Sequence, residues 1–225
     1  MTLHAHRAPA TAAQIRNGTA HGRMMSLLMT GLIAAAAVFG TGRMARAEPA
    51  TYTLDPEHAV VGFLVMHAGY TNVLGRFDQV EGSFVFDEAA PALEQGEIRV
   101  KTASVSTAHE KRDEHLRGPD FLNADEFPEM IFRLDGARAT AGRQGTVTGT
   151  LELLGVRKPL TLDVTWNKSA EYPFGTGVFG ARPYVVGVSA RGTIRRSDFG
   201  MTYGLDGDLV ADEIALILEM EARRE

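Results

Sequence analysis

Histidines are the side chains best suited to acid–base chemistry or metal binding near neutral pH. Beyond residue 47 the sequence contains His58, His67, His109 and His115. His58 and His67 are nine residues apart, so on one continuous strand they point to opposite faces. His109 and His115 are six apart, which is poor geometry for binding one ion from a helix. We therefore predict solvated or hydrogen-bonded histidines and no metal site.

Groups for nucleophilic or carboxylate catalysis are also poorly placed. Ser104 and Ser106 lie near His109, but neither a Gly-x-Ser-x-Gly elbow nor an oxyanion element accompanies them. Asp206 and Asp208 lie in a glycine-rich loop, where solvated acids are more common than a general acid and base. The chain has no cysteine, which excludes thiolate ligands, cysteine nucleophiles and disulfides. The sequence thus predicts no catalytic residue.

A glycine-rich run at residues 175–180 has the spacing of a dinucleotide-binding loop. That motif works only where a helix N-terminus follows and presents its N–H groups to a pyrophosphate. Here Pro183 and the alternating run Tyr184–Val188 follow, which predicts a strand. The glycines therefore indicate a turn.

The overall composition is that of an ordinary globular protein. The 225 residues are 44% hydrophobic and 23% charged, with a formal net charge of -5. These values exclude disordered, collagen-like and coiled-coil chains, and they allow one substantial core or two small ones. Because the balance is acidic and no long basic run occurs, nucleic acid is not an expected partner.

Residues 1–47 have the three parts of a secretory signal peptide. They contain five arginines and no acidic residue, an apolar run over Met24–Gly40, and the small-x-small end Ala45-Arg46-Ala47. We predict cleavage after Ala47; Met24 or Met25 is an alternative start, and an uncleaved anchor is the alternative to cleavage. Cleavage would change the formal net charge from -5 to -10 and leave residues 48–225 as the mature domain.

The mature chain alternates between apolar and polar residues with period two, and Gly, Pro, Asn and Asp break the runs. This pattern predicts eight or nine antiparallel strands in one all-β domain. A sheet of about eight strands closes around an interior that side chains fill or one small ligand occupies. Composition alone favours a filled interior. The predicted strands are Thr51–Leu54, Ala59–His67, Phe77–Asp87, Glu97–Val105, Met130–Asp135, Thr146–Leu153, Leu160–Asn167, Tyr184–Arg191 and Glu213–Glu221.

One segment predicts a helix instead. Thr107 and Glu110 have the spacing of a capping box, and Gly118-Pro119 supplies a stop after Arg117. The predicted helix, Ala108–Arg117, has Leu116 as its only large apolar residue, so we expect it on the surface at a barrel mouth. A second short helical turn is predicted at Asn123–Phe127.

Several motifs occur in order along the mature chain. They are Asp55-Pro56-Glu57-His58 with Phe63–His67, Gly75-Arg76-Phe77 with Glu81-Gly82, Ser104–Thr107 with Arg112–Leu116, Phe121–Phe132, Gly149–Leu162 with its turn at residues 155–159, and Arg196–Met201. Together they resemble the YceI-like family over Tyr52–Glu219. Ala59 departs from the family pattern, in which a serine usually follows the histidine. The resemblance implies an antiparallel, eight-stranded, lipocalin-like β-barrel with one or two short surface helices, often periplasmic, that holds a polyisoprenoid, isoprenoid quinone or fatty-acid derivative. It also implies that two copies can pair as a homodimer.

We therefore expect a periplasmic, non-catalytic lipid carrier that needs no cofactor and does not insert stably into a membrane once the leader is removed. His67, Arg112 and His115 are predicted polar groups near the mouth. Two other functions stay open: an enzyme acting on a lipid-like substrate with His67 or His115 as base, and a ligand-free structural barrel. The predicted lining residues are Phe63, Val65, Phe84, Phe86, Met130, Phe132, Leu151, Leu162, Val164, Trp166, Tyr184 and Val188.

Overall fold

The computed structural model describes residues 48–175, 180 and 182–225. The predicted leader and most of the glycine-rich run at residues 175–180 lie outside these ranges. Within them, no helix has the length and apolar character needed to cross a membrane. The elements in chain order are β1 (Ala50–His67), β2 (Thr71–Phe77), β3 (Val80–Asp87), β4 (Ala92–Lys101), β5 (Val105–Ser106), α1 (Glu110–Arg117), β6 (Glu129–Ala141), β7 (Gln144–Leu153), β8 (Val156–Glu171), β9 (Tyr184–Arg195) and β10 (Val210–Arg224).

Eight of these strands form a closed antiparallel barrel in the order β1-β3-β4-β6-β7-β8-β9-β10, and β10 pairs again with β1. The strands β2 and β5 extend the sheet beyond β1. The predicted eight-stranded barrel is therefore confirmed. The sequence did not predict the two added strands: the predicted strand Phe77–Asp87 overlaps β2 only at Phe77, and the predicted strand Glu97–Val105 overlaps β5 only at Val105.

The strand β1 joins two predicted strands into one of 18 residues. Its first part pairs with β3, its last part with β2, and both parts pair with β10. The register with β10 shifts between Leu54 and Ala59. Pro56 lies within this irregular stretch, where its missing N–H breaks no regular ladder. The register shift at Leu54–Ala59 is a β-bulge, and it allows β1 to continue as one strand from Ala50 to His67.

Alternation along the strands separates an apolar interior from a polar outer surface. On the outside, a ladder of ion pairs crosses β4, β6, β7 and β8. Arg133 pairs with Glu97 at 2.9 Å and with Glu152 at 2.8 Å, and Arg157 also pairs with Glu152 at 3.0 Å. Because Arg133 is only half-buried and Arg157 is exposed, solvent screens these pairs and each adds little to stability. These charged residues alternate with apolar residues along the same strands, so the apolar side chains face the barrel interior.

The helix α1 begins at Glu110, and the predicted capping box is wrong. His109 is the N-cap, and its Nδ1 accepts a hydrogen bond from the Arg112 N–H at 3.3 Å. Instead of Glu110, the buried Asp113 reaches back and accepts the Thr107 N–H at 2.8 Å and the Thr107 hydroxyl. The bonded residues are six positions apart rather than the predicted three, because Ala108 has a left-handed φ of 59° that turns the chain before the helix starts.

The second predicted helical turn, at Asn123–Phe127, forms as a single turn that does not continue into a helix. The Phe127 N–H donates to the Asn123 carbonyl at 2.9 Å. Pro128 follows, and it disfavours helical φ/ψ at the residue before it.

Candidate ligand cavity

The barrel interior contains two adjoining apolar cavities. The first, called here the α1-side cavity, lies where α1 and the segments around it cover one end of the barrel. It has about 1070 Å³ of empty space, including open solvent at its margin. Its lining includes Val61, Gly62, Phe63, Val65, Phe77, Ile98, Val100, Val105, Leu116, Phe121, Leu122, Met130, Phe132, Leu151, Leu153, Leu160, Leu162, Ile194, Arg196, Met201, Val210, Ile214, Leu216 and Leu218.

The second, called here the Trp166-side cavity, has about 820 Å³ of empty space on the same basis. No charged side chain of the described residues contributes to its lining. It shares Ile98, Phe132, Leu162 and Leu218 with the α1-side cavity, so the two adjoin around these four side chains. Its other lining residues are Phe84, Phe86, Leu93, Gly96, Leu134, Val147, Val164, Trp166, Val186, Val188, Ala190, Met220 and Ala222.

A third, smaller space of about 420 Å³ lies between the β3–β4 and β6–β7 turns. It shares five residues with the Trp166-side cavity, and its other side is lined by the exposed Pro91, Gly142 and Arg143. The Trp166-side cavity therefore continues toward the surface between these turns. The Arg143 guanidinium lies 5.7 Å from the centre of the Trp166 ring, and its Nη1 donates to the Asn167 carbonyl at 2.6 Å.

Two predicted lining rings lie flat over glycines on the neighbouring strand. A Cβ at Gly75 would lie 2.1 Å from Phe63 Cζ, and one at Gly149 would lie 2.5 Å from Phe132 Cζ. Any other residue at these positions would push the ring away from the wall. The glycines therefore keep these phenylalanines against the strands and preserve empty space at the barrel centre.

Eleven of the fifteen predicted site residues line the two cavities. They are Phe63, Val65, Phe84, Phe86, Met130, Phe132, Leu151, Leu162, Val164, Trp166 and Val188. Their role in binding a ligand stays a prediction. Tyr184 packs against the core without lining either cavity.

The three predicted polar residues do not line either cavity. His67 is exposed at the end of β1, where the register with β10 shifts after Val65 and breaks the inward alternation. Arg112 is exposed and donates to the hydroxyl and the carbonyl of Thr107 at 2.7 and 3.0 Å. A base acting on a ligand inside the barrel would have to lie in its lining, so His67 is poorly placed for that role.

His115 also lies outside the cavities. Its Nε2 lies 2.8 Å from an Asp120 carboxylate oxygen, and its ring packs edge-on against Phe121 and Tyr203, with centroids 5.0 Å apart in both pairs. Phe121 lines the α1-side cavity. The histidine thus supports a lining residue from the outside, which does not favour its predicted role as a base.

A buried arginine is the main feature that the predicted site omits. Arg196 is 1% exposed and is the only charged side chain in the α1-side lining among the described residues. It donates to the carbonyls of Ala211 at 2.8 Å, Met201 at 2.9 Å and Val210 at 2.6 Å. Burial lowers the pKa of its guanidinium, while the charge of Asp212 acts in the opposite direction. The guanidinium therefore holds three backbone carbonyls behind a wall that stays almost entirely apolar.

A different polar cluster closes the Trp166 side. Glu88, in the β3–β4 turn, accepts hydrogen bonds from the Tyr52 hydroxyl and, at 3.0 Å, from the Tyr184 hydroxyl. Burial and the Glu88 carboxylate raise the pKa of both phenols. The Arg224 guanidinium lies 5.9 Å from the Tyr184 ring centre. Tyr52 stacks on the lining residue Phe84 at 5.7 Å, so this cluster supports the wall without adding charge to it.

Asp55, Glu57 and His58 lie close enough together to approach one metal ion. However, Asp55 Oδ2 already contacts His58 Nδ1 at 2.9 Å and accepts from Arg223 Nη2 at 2.7 Å. Burial alone would raise the pKa of Asp55, but these hydrogen bonds outweigh it and lower that pKa. The nearby guanidinium disfavours a cation, so the cluster is best described as an ion-pair network.

Comparison with known proteins agrees with this architecture. A family model described as the YceI-like domain matches residues 52–222. The chain belongs to the YceI-like family. A UPF0312 protein of Yersinia enterocolitica is 36% identical over 203 residues, which cover 89% of this chain and 99% of the relative.

Two solved structures share the fold at lower identity. BcnA of Burkholderia cenocepacia superposes with a TM-score of 0.64 at 20% identity, covering 75% of this chain and 98% of BcnA. A polyisoprenoid-binding domain from Saccharophagus degradans superposes with a TM-score of 0.57 at 16% identity, covering 77% of this chain and 98% of that domain. The YceI-like barrel is thus found in proteins whose sequences have diverged widely.

Proposed function

We propose that this YceI-like protein holds one long apolar chain inside its barrel and carries it through the periplasm without catalysing a reaction. The observation that supports this most directly is the pair of adjoining cavities with almost entirely apolar walls, which contain about 1070 and 820 Å³ of empty space when open solvent at their margins is included. Apolar walls of this kind suit a lipid better than a polar metabolite, because a polar group enclosed there would find no hydrogen-bond partner.

The length of the interior favours a long ligand. The lining residues of β10 extend from Val210 to Ala222. At a rise of about 3.3 Å per residue and a tilt of about 40°, they span about 30 Å along the barrel axis. A bilayer hydrocarbon core, which holds two acyl chains end to end, is also about 30 Å thick. A polyisoprenoid, an isoprenoid quinone or a long fatty-acid derivative would fit this length.

The energetics allow tight binding without polar contacts. Burying one methylene gains about 0.8 kcal/mol, and ordering a flexible chain costs part of that gain. The polyisoprenoid-binding description of the Saccharophagus degradans domain is consistent with this ligand class. Since His67 and His115 line neither cavity, the structure does not favour the alternative of a base acting on a bound lipid.

The decisive experiment is to extract the protein, purified from the periplasm of its own organism, with organic solvent and to analyse the extract by mass spectrometry. We expect a stoichiometric lipid with a chain long enough to reach from Val210 to Ala222. Mock purification from cells lacking the protein is the control. Repeated extraction of no lipid, from protein that is folded by circular dichroism, would leave the filled structural barrel as the better explanation.

A second measurement uses the single tryptophan of the chain, which lies in the cavity wall. Titration of delipidated protein with a long-chain lipid should change the Trp166 emission and saturate at one lipid per barrel. A saturating response to a lipid and none to a polar metabolite supports the proposal, and unchanged emission together with no heat of binding contradicts it.

The periplasmic location rests on the predicted leader. Cell fractionation followed by N-terminal sequencing should recover a mature protein that begins near Glu48. A cytoplasmic protein that retains residues 1–47 would contradict the location while leaving the lipid-binding proposal intact.

A further inference from the structure

The barrel wall is incomplete between β4 and β6 at the Trp166 end. The ladder between these strands ends at the pair Glu97–Arg133. Both strands continue beyond it, β4 with residues 92–96 and β6 with residues 134–141, but in the described chain these continuations do not pair with each other. At a rise of about 3.3 Å per residue, the unpaired stretch of β4 is about 16 Å long. We call this unpaired part of the wall the β4–β6 seam.

Each strand has a bulge just beyond the last pair. In β6 the register with β7 shifts between Leu134 and Gly136, which leaves Asp135 out of that ladder. In β4 the register with β3 shifts so that Glu94 has no position in their ladder. A bulge bends its strand and often terminates pairing. The seam is therefore built into the two strands, because each of them bends where their common ladder stops.

The Trp166-side cavity reaches this seam. Leu93 and Gly96 of β4 and Leu134 of β6 belong to the unpaired stretches, and all three line the cavity. Ala92 and Ala137, from the same stretches, line the smaller third space, which continues the cavity outward. The apolar interior therefore meets the outside between two strands that no ladder holds together.

Hydrogen-bonding groups accompany the cavity at the seam. The third space is lined in part by the polar side chains of Arg143, Gln144 and Thr146. Arg143 is exposed, and one N–H of its guanidinium donates to the Asn167 carbonyl at 2.6 Å. The unpaired edge of a strand also presents free N–H and C=O groups. A polar headgroup placed here would find partners on the protein and in water.

The interior offers a headgroup no such partners. The walls of the two larger cavities are almost entirely apolar, and Arg196, the one charged residue among their described lining residues, donates to three backbone carbonyls. Burying a polar group without a hydrogen bond is costly. The chain of an amphiphile therefore suits the interior, and its headgroup suits the seam.

We propose that the β4–β6 seam is the opening through which the ligand enters and leaves, and that the headgroup of the bound amphiphile stays in it. This inference rests on the proposed lipid-binding function and adds the direction of the ligand. The apolar chain enters first and runs past Phe132 and Leu162 toward α1, where its burial is favourable. The headgroup remains beside Arg143 and the strand edges, so it keeps its hydrogen bonds.

Opening the α1 end would cost more than passing the seam. At the α1 end, Asp113 accepts the Thr107 N–H and hydroxyl, and Arg196 donates to three carbonyls. Leu116 and Phe121, from the covering segments, also line the cavity and would have to leave it. Buried hydrogen bonds are expensive to leave unmade. The seam needs no ladder to be broken.

The test closes the seam with a covalent bridge. Gln95 and Asp135 are exposed on its two sides and would lie opposite each other if the ladder continued. Because the chain has no cysteine, Gln95→Cys/Asp135→Cys introduces the only thiols, and bismaleimidoethane joins them. Thr148→Cys/Thr161→Cys is the matched control, since these exposed residues already face each other across the β7–β8 ladder. Mass spectrometry verifies both bridges.

Ligand exchange is then followed through Trp166. Hexadecanol that carries bromine next to its headgroup is delivered from cyclodextrin to the delipidated mature protein, and its quenching of the emission is recorded by stopped flow. We expect the bridge across the seam to slow association and dissociation at least about ten-fold, relative to the same variant with thiols capped by N-ethylmaleimide, because the lipid must wait for an opening elsewhere. The control bridge should change neither rate.

The outcomes separate this inference from the proposed function. Unchanged rates with the seam bridged, or equal slowing by both bridges, would overturn the inference and leave the lipid-binding proposal standing. If the unmodified protein shows neither a saturable change in emission nor a heat of binding, both proposals are contradicted.

A measurement on the unmodified protein covers the case in which the bridged variant does not fold. Trp166 lines both the Trp166-side cavity and the third space, so it marks the seam end of the ligand. Bromine quenches tryptophan emission only at close range, and hexadecanol is titrated with bromine either next to the headgroup or at the chain end. We expect stronger quenching from the bromine next to the headgroup. Equal quenching, or stronger quenching from the chain end, would overturn the proposed direction.

Discussion

The two ends of the barrel are closed by different kinds of contact. At the α1 end, buried groups hold the backbone of the covering segments: Asp113 binds Thr107, and Arg196 binds three carbonyls. At the Trp166 end, one side chain in a surface turn, Glu88, joins two tyrosines, and a further space leads outward between turns. We therefore expect the α1 end to be fixed by its buried contacts, and the Trp166 end, which is closed by fewer contacts, to open more easily. Variants at each end test this difference.

The largest effect is expected at the fixed end. Asp113→Ala removes the acceptor of the Thr107 N–H and hydroxyl, both of which are buried with it. We expect a loss of about 2–3 kcal/mol in the free energy of unfolding, measured with urea, because the orphaned donors stay desolvated. Glu114→Ala, at an exposed position of the same helix, is the control and should cost under about 0.5 kcal/mol. Equal costs would mean that Asp113 does not hold the covering segment.

The next effect concerns the region between the ends. Ile98 lines both cavities, so Ile98→Phe should narrow their junction and lower the affinity for a long-chain lipid about ten-fold, with stability changed by under about 1.5 kcal/mol. A short-chain lipid that fits one cavity alone should bind as before. Val85→Phe adds a ring on the outer face of β3 and should change neither affinity. If Ile98→Phe weakens both lipids equally, the cavities are not occupied by one continuous chain.

A smaller loss of stability is expected at the Trp166 end. Tyr52→Phe removes one of the two hydroxyls that bind Glu88 and should cost about 1–1.5 kcal/mol, while Tyr184→Phe should cost less because Tyr184 is more exposed. Hydrogen exchange should rise at Ala89 and Ala90 of the β3–β4 turn and stay unchanged in α1. Faster exchange in α1 would show that the ends are coupled.

The smallest effect is a pH dependence at the same end. The hydrogen bond to Asp55 raises the pKa of His58 above its ordinary value, so the stabilisation is complete below about pH 6.5 and is lost as pH rises through the raised value. Because the pKa of Asp55 is lowered, its contribution is complete above about pH 4 and is lost on further acidification. His58→Gln should therefore flatten the fall of the thermal midpoint between about pH 6 and pH 8. An unchanged slope would remove His58 as its source.

Strand alternation predicted the barrel because an antiparallel sheet with one wet face needs period two. It predicted most of the cavity wall for the same reason. It could not tell wall from packed core, since both require large apolar side chains. The empty space depends on how the side chains lie, for example on the two phenyl rings that lie flat over Gly75 and Gly149. Each glycine and its phenylalanine are on different strands, so their contact cannot be seen in the sequence pattern.

The polar residues were harder to predict. His67 follows the inward parity of Val65, and only the register shift with β10 turns it outward. Arg196 begins the Arg196–Met201 motif but follows another arginine at the end of an alternating run, a position where charge is usually solvated. Its burial depends on the covering turn at Arg196–Phe199 and on carbonyls of β10, which are distant in sequence. The signal that could have shown it is the basic residue that begins a motif otherwise made of Ser, Asp, Phe, Gly and Met.

The pairing of β1 with β10 has a consequence for how the domain folds. Tyr52 lies opposite Arg224, so residues from the two extremes of the domain must meet before the wall is complete. Contacts of such large sequence separation slow folding, because a long loop has to be ordered first. Before β10 pairs with them, β1 and β9 are the open edges of the sheet, and the apolar face of the sheet is not enclosed. The ligand compartment therefore cannot exist before the two ends of the domain have paired.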